Sequence, residues 1–364
     1  MKGKNTNWTL IVVLSFSLFA GSCGGTADTT TTVAPSTTVA PATTVAPATT
    51  ETTTPTEPDI VTVRVSLPPF GSQAFIVDMI ETQGLGEKHG IVIERHEFSG
   101  PPAHYLQITG DVSDIAAATW LELQQNQARG LRVVGVGPNL RYVNPMVVGV
   151  NSGIESIEDL KGKRIAVYFQ AGTDVLAARA AIQQKYGFDF FTENDVTSAD
   201  APLLSTQLER GDVDAILTFS NFAAALVAEG KGRILFVVAD LLNEVFGVSK
   251  DAPFGVYITS ANVANNYPER IERFLAAYLD AVDILVTDDS VWPALAESRG
   301  ITDPAQLSEF MESERQGFAT EWNDSVFDGF EEMFNTLLAI GGQDVVGLPE
   351  FDATTYTTEF WPGG

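Results

Sequence analysis

The chain predicts an α/β protein of two lobes, each a mainly parallel sheet flanked by helices, and three features carry that prediction. Runs rich in β-branched residues alternate with stretches of helical periodicity from Ile60 onward. The body so marked out has about 300 residues, enough for two hydrophobic cores. Glycines fall where helices must give way to strands, as at Gly162 and Gly211, which end helical stretches just ahead of buried β-branched runs.

The first lobe is predicted to begin with a strand over Val61–Ser66, where valine recurs at every second position. A helix over Ser72–Gln83, a strand over Ile91–Glu97 and a helix over Ala103–Thr109 follow. Asp114–Ala118, with Ile115 and three alanines after its aspartate, reads as a buried strand and leads into a helix over Trp120–Arg129. Leu131–Gly137 makes a further strand that stops at Gly-Pro.

A second lobe opens near Asn151, with a short capped helix at Ser156–Leu160 that Gly162 ends. Arg164–Tyr168 is a strand, Thr173–Tyr186 an amphipathic helix, Asp195–Ala199 an edge strand and Pro202–Arg210 a helix. Asp214–Thr218, Phe222–Glu229 and Arg233–Val238 repeat the order strand, helix, strand, and Phe254–Thr259 crosses back into the first lobe. Pro268–Val286 is a long helix with Pro in its first position and Glu269 in its first turn, where an acid complements the helix dipole. Val291–Ile340 supplies three more helices, expected on the first lobe with Trp292 and Trp322 as anchors. The implied boundaries are lobe 1 over 60–147 and 253–364, and lobe 2 over 148–252. Hinges are expected near Asn144–Asn151 and Lys250–Phe254.

Ahead of the body lie two segments of other kinds. Lys2 and Lys4, the apolar run Leu10–Ala20 and the small residues Ala20-Gly21-Ser22 form an export leader over 1–22, too short to span a bilayer comfortably. Residues 23–59 are mostly Thr, Pro, Ala and Val, with Thr-Thr-Val-Ala-Pro recurring at Thr31, Thr37 and Thr43. With no aromatic residue and no extended apolar face, this stretch cannot offset its ordering entropy and reads as a disordered tether. Cys23, the only cysteine, is followed by Gly24 and Gly25, and the segment resembles a bacterial lipoprotein signal whose cysteine is acylated. That resemblance implies a lipid anchor to the outer face of the cell membrane. An uncleaved anchor and an ordinary secretory signal are the competing readings.

Charge narrows the partners. With 47 acids against 21 bases and a net charge of −26, nucleic acid is disfavoured, since phosphate binding needs basic patches. From Ile301 onward there are 13 acids and one base, Arg315, a solvated face or a docking surface for a basic partner. The three histidines, His89, His96 and His104, have no metal-ligand spacing, and no P-loop, Gly-x-Ser-x-Gly elbow or second thiol is present. No cofactor, metal site or catalytic residue is therefore expected, and binding without turnover is the leading reading.

Specific motifs sharpen this. Glu155-Ser-Ile-Glu-Asp-Leu-Lys-Gly-Lys-Arg-Ile-Ala-Val167, Gly172-Thr173 and Leu208-Glu-Arg-Gly-Asp-Val-Asp-Ala-Ile216 occur in order, with a weaker copy of the last at Leu106–Ala116. Together they resemble the substrate-binding proteins of ABC importers. The group most similar is that of nitrate, taurine and alkanesulfonate binders and the NMT1/THI5-like binders of thiamine-precursor pyrimidines. The resemblance covers about Val61 to Leu285 and implies a type II periplasmic-binding-protein fold, a permease and its ATPase as partners, and a monomer. Some members of this fold are enzymes, and a sensory surface lipoprotein is a third class. Asp159, Lys163 and Asp214 in these motifs read as scaffold, because Gly162 and Gly211-Asp212 supply helix stops and turns.

In such folds ligands sit where strands hand over to loops at the carboxyl edge of each sheet. That rule selects Phe70, Ser72, Gln73, Ser99, Gly100, Thr119, Trp120, Tyr142, Gln170, Gly172, Thr173, Phe219, Ser220, Asn221, Phe254 and Tyr257. The set is aromatic, and Arg141 is the only base in or beside it. Each ring can bury roughly 150–250 Å², so two faces could clamp one planar ligand. An anion would want arginine or a free helix amino terminus, and Asp174 stands in the first turn of the helix that Gly172-Thr173 opens. The expected ligand is a neutral or weakly cationic, heteroaromatic solute, with nitrate- or sulfonate-type anions as the alternative.

Overall fold

A computed structural model describes residues 59–68, 72–98, 103–298 and 301–363 of the chain. The predicted positions Cys23, Phe70, Ser99 and Gly100 lie outside the described residues, as do the leader and most of the tether.

Two five-stranded sheets form, each mixed and mostly parallel, with helices on their faces. Lobe 1 holds β1 (Val61–Leu67), β2 (Ile91–Glu97), β3 (Ile115–Thr119) and β4 (Val133–Pro138). Lobe 2 holds β5 (Pro145–Gly149), β6 (Arg164–Val167), β7 (Asp195–Ser198), β8 (Ala215–Leu217) and β9 (Gly232–Val237), and the chain returns to lobe 1 as β10 (Gly255–Ser260). The strand orders are β2-β1-β3-β10-β4 and β7-β6-β8-β5-β9. In each sheet one strand, β10 or β5, runs antiparallel to both neighbours, and each carries a register shift on one side. Each lobe thus takes in one strand at the far end of a crossing, which ties the halves together at two points.

The lobes repeat one plan at an offset of 100 residues, since Val65 pairs with Ile115 as Ile165 pairs with Ala215. The same offset relates the acid that closes each sheet. Asp114 accepts from the backbone N–H of Arg64 (2.9 Å) and from its Nε and Nη2 (3.2 and 2.6 Å). Asp214 accepts from the same three groups of Arg164 at 2.9, 3.1 and 2.7 Å. Burial alone would raise the Asp114 carboxyl, but Arg64 and Arg270 outweigh it and hold it below the usual carboxylate range. Hydrogen bonds from Arg164 do the same for Asp214. The expected scaffold role of Asp214 is therefore visible in its contacts. Gly162 and Gly211 adopt φ of 76° and 72°, the left-handed conformation that a helix stop needs.

Most expected elements appear within a residue or two. Ser156–Leu160 narrows to a 3-10 turn at Glu158–Leu160, and β5, whose five residues begin with a proline, was not expected as a strand. Because β5 already belongs to the second sheet, the first crossing is Asn139–Asn144, ahead of the predicted hinge at Asn144–Asn151. The second crossing meets it: Phe254 and Gly255 donate to the Leu140 carbonyl at 2.6 and 2.9 Å, and Arg141 pairs with Pro253. A third segment joins them, with Arg141 donating to Gly317 and Ala319 to Asn139.

The C-terminal helices were expected on lobe 1, and they do pack there. Phe310 meets Phe75 edge-on with ring centroids 5.3 Å apart, and Trp292 meets Phe310. They also reach lobe 2: the helix Pro304–Arg315 packs on Ser220–Ala228, and Asp324–Gly341 touches Thr173–Tyr186. The tail therefore straddles both lobes.

Candidate functional site

The strands that run parallel in each sheet end at one cleft. Their carboxyl ends put Pro68 after β1, Thr119 at the end of β3, Tyr168 after β6 and Phe219 after β8 around a common cavity of about 190 Å³. Ser72, Gln73, Ala117, Ala118 and Glu122 complete the lobe 1 wall, Ser220 the lobe 2 wall, and Leu140, Arg141, Val143, Asn144, Phe254 and Gly255 the hinge wall. This volume is below the ~300–1,000 Å³ usual for ligand pockets, in keeping with the close approach of the lobes. Across the cleft the hydroxyls of Thr119 and Thr173 lie 2.6 Å apart in a direct lobe-to-lobe hydrogen bond. A wider depression of about 600 Å³ lies on lobe 1 alone, between Asp78, Arg95 and Leu295, and shares Pro68 with the cleft cavity.

Of the described residues selected from sequence, Ser72, Gln73, Thr119, Phe219, Ser220 and Phe254 line the cavity. Thr173 sits just behind, fully enclosed and bonded to Thr119. The other aromatic choices face elsewhere. Trp120 is fully buried, stacks on Phe330 at 5.6 Å and 11°, and donates its Nε1–H to the Tyr142 hydroxyl at 2.6 Å. Tyr142 packs its ring on Phe254 beneath the cavity. Tyr257 is edge-on to Phe274 and Tyr278 in the lobe 1 core. Gln170 is exposed and donates to the Val196 carbonyl, Gly172 is the N-cap of Thr173–Tyr186, and Asn221 follows Ser220 with its Oδ1 buried. None of these six borders the cavity.

Three carboxyl groups gather at the cleft. Glu122 is the one that borders the cavity: the Thr119 hydroxyl accepts from the Glu122 N–H at 3.2 Å, while the Glu122 carboxylate receives the Thr119 N–H, a reciprocal capping box. Burial pushes the Glu122 carboxyl up to about 7, against that hydrogen bond and the charge of Arg129. Beside it, 3.6 Å away, His104 is buried without a hydrogen bond at either ring nitrogen, and burial pushes it down to about 4. Asp174 is fully buried and its carboxyl is raised by that burial, opposed by the Tyr168 hydroxyl (2.6 Å), the Asn144 amide (2.8 Å) and the Val175 N–H (2.8 Å). Its place in the first turn of Thr173–Tyr186 suits the helix dipole. Glu314, from the straddling helix, accepts from Ser72 Oγ at 2.5 Å and Ser220 Oγ at 2.8 Å.

Among the described residues Arg141 is the one base bordering the cavity. Its Nη1 lies 3.1 Å from Asp251, while its Nε is buried without a hydrogen-bond partner. Among the described residues the site thus holds three aromatic side chains, Tyr168, Phe219 and Phe254, a set of hydroxyls and amides, one guanidinium and three carboxyls. Among the described residues no group of three metal-ligating side chains is found. Glu122, Tyr168 and the small residues Ala117, Ala118 and Gly255 were not selected from sequence. The capping-box pattern Thr119-x-x-Glu122 is the sequence signal that could have marked Glu122.

Comparison with known proteins places this arrangement in context. Residues 82–289 match the family described as NMT1/THI5 like. A putative aliphatic sulfonates-binding protein of Escherichia coli (strain K12) is 29% identical over 37% of this chain and 40% of its own length. One of Bacillus subtilis (strain 168) is 25% identical over 54% of this chain and 56% of its own length. The match therefore spans about half the length of these curated relatives or less. Among solved structures, the alkanesulfonate-binding protein SsuA of Xanthomonas axonopodis pv. citri, bound to MOPS, superposes with a TM-score of 0.65 at 17% identity. It covers 83% of this chain and 99% of its own. The two-lobed fold is the same.

Proposed function

From the premise that this chain belongs to the NMT1/THI5-like family, we propose that it is an extracytoplasmic solute-binding protein. It captures a small organic molecule between its lobes and presents it to the permease and ATPase of an ABC importer. The observation that carries this reading is a cavity walled by both lobes and their hinge, with Thr119 and Thr173 bonded across it. The names of the two relatives, aliphatic sulfonates-binding proteins, support the solute-binding role. Closure follows from ligand touching both walls at once: only the closed form offers both sets of contacts, so binding shifts the population toward it. Acylation at Cys23 and a tether over 23–59 would keep the body near its permease at high local concentration.

The ligand we infer has a flat apolar body, held between Phe219 and Phe254, and polar edges read by Gln73, Thr119 and Asn144. Three carboxyls against one guanidinium favour a neutral or weakly cationic head. Wrong ligands are rejected because they leave these buried polar groups unpaired. A sulfonate-type anion is the second reading, favoured by the buried, unbonded Nε of Arg141 and by what the relatives are named for.

The test is a thermal-shift and calorimetric screen of the body from Ile60 against pyrimidines, flavins, aromatic acids, sulfonates and nitrate. A ligand at 100 times its Kd adds about 2.7 kcal/mol. Stabilisation by neutral heteroaromatics supports the first reading, and stabilisation by sulfonates alone replaces it with the second. Mass analysis of recovered ligand checks that it leaves unchanged, and a consumed ligand would overturn binding without turnover.

A further inference from the structure

Glu314 is the least expected component of the cleft. It comes from neither lobe's sheet but from the helix Pro304–Arg315, and its side chain is 1% exposed. Phe310, one turn earlier on the same face, docks that helix on Phe75 of lobe 1, while the helix body rests on Ser220–Ala228 of lobe 2. The carboxylate is thereby brought between Ser72, the first residue of Ser72–Thr82, and Ser220, the first residue of Ser220–Ala228. Both serines border the cavity. Helix amino termini favour negative charge, and two from opposite lobes here converge on one internal anion.

We propose that Glu314 is a specificity-determining residue. Its carboxylate occupies the polar end of the cleft between Ser72 and Ser220, latches the two lobes through them, and keeps ligand anions from that end. The proposal rests on the solute-binding reading and deepens it: the site would take its ligand by the apolar body and reject small sulfonates there, because the Glu314 carboxylate already takes the Ser72 and Ser220 hydroxyls and a second anion would displace it only against like charge. It also gives the C-terminal helices a task, since they carry the latch across the lobe boundary.

The experiment is anion rescue, and it needs no knowledge of the natural ligand. Wild type, Glu314→Gln, Glu314→Ala and Glu314→Ser are melted with sodium methanesulfonate, acetate or sulfate, using chloride at equal ionic strength as control. The Ala or Ser variant, whichever folds, should bind methanesulfonate or acetate saturably and at least tenfold tighter than wild type. Glu314→Gln, which keeps the volume filled, should not. Adding Ser72→Ala and Ser220→Ala should remove the gain. Equal anion responses in wild type and the truncated variant, or none beyond chloride in either truncated variant, would overturn the proposal. A failed ligand screen on wild type would strike the solute-binding reading and leave this result standing.

Discussion

Replacing Glu122 by Gln should make the protein acid-sensitive in a pH range where it is otherwise level. Two neighbours set this up. The Glu122 carboxyl stands at about 7 in the folded chain against an ordinary 4.5, chiefly through burial, and the His104 ring at about 4 against 6.5 for the same reason. A carboxyl raised by folding contributes stability that is complete below pH 4.5 and is lost as pH rises toward 7. A histidine lowered by folding contributes stability that is complete above 6.5 and is lost as pH falls toward 4. Between pH 4.5 and 6.5 the two slopes oppose each other, each at about 1.4 kcal/mol per unit.

Over those two units each slope amounts to about 3 kcal/mol, or about 2 for Glu122 once its partial contact with solvent is discounted. Glu122→Gln removes one slope and leaves His104 alone, so stability relative to wild type should fall by about 2 kcal/mol between pH 6.5 and 4.5. His104→Phe should do the reverse, since a ring among Phe98 and Tyr105 keeps the packing and leaves the Glu122 slope. Arg129 also faces Glu122. Urea denaturation followed by tryptophan fluorescence at pH 4.5, 5.5 and 6.5 measures all three proteins. Differences between variants cancel the general titration of the acidic surface. Parallel pH profiles for wild type and both variants would refute the reasoning.

Two further outcomes separate scaffold from site. Trp120→Ala should cost about 3–5 kcal/mol of stability, because the indole is fully enclosed against Phe330 and Tyr142; a variant with wild-type denaturation but lost ligand binding would return Trp120 to the cleft. Asp114→Ala should be far more damaging than Asp214→Ala in the same melts, about 3–5 kcal/mol against about 1, because Asp114 is fully buried with two guanidinium partners while Arg164 beside Asp214 is half exposed; equal losses would contradict this.

The scaffold was legible because its signals are local and repeated. Alternating valines mark β1, small apolar runs mark β3 and β8, and Gly162 and Gly211 stand where a left-handed residue is required. The strand β5 escaped because five residues starting at Pro145 read as a loop; its strand identity comes from two antiparallel neighbours that lie 66 or more residues further on. The site was legible by position and less so by side chain. Topology put Trp120 at the right edge, yet its ring turns away toward Phe330, more than 200 residues later, and no local pattern encodes that packing. Glu314 was hidden for the same reason, since its role depends on a helix from the tail reaching across both lobes.

What the sequence repeats and what it varies answer different questions. At the shared offset of 100 residues, Pro68 and Tyr168 occupy matching seats, as do Thr119 and Phe219, and Trp120 and Ser220. All but Trp120 border the cavity. Equivalent seats hold a small or polar residue in lobe 1 where lobe 2 presents a ring, and the single exchange in the other direction sends its ring into the core and leaves a serine at the cleft. The repeated pairs, Asp114 with Arg64 and Asp214 with Arg164, each tie two neighbouring strands within one lobe and set the shared plan. Selectivity must then come from the divergent seats and from Glu314, which belongs to neither repeat. Under the proposed function, a ligand between the lobe 1 wall with Thr119 and the lobe 2 wall with Tyr168 and Phe219 would gain its full contacts only when both lobes meet it. That difference between one-sided and two-sided contact is how the proposed capture would couple to closure.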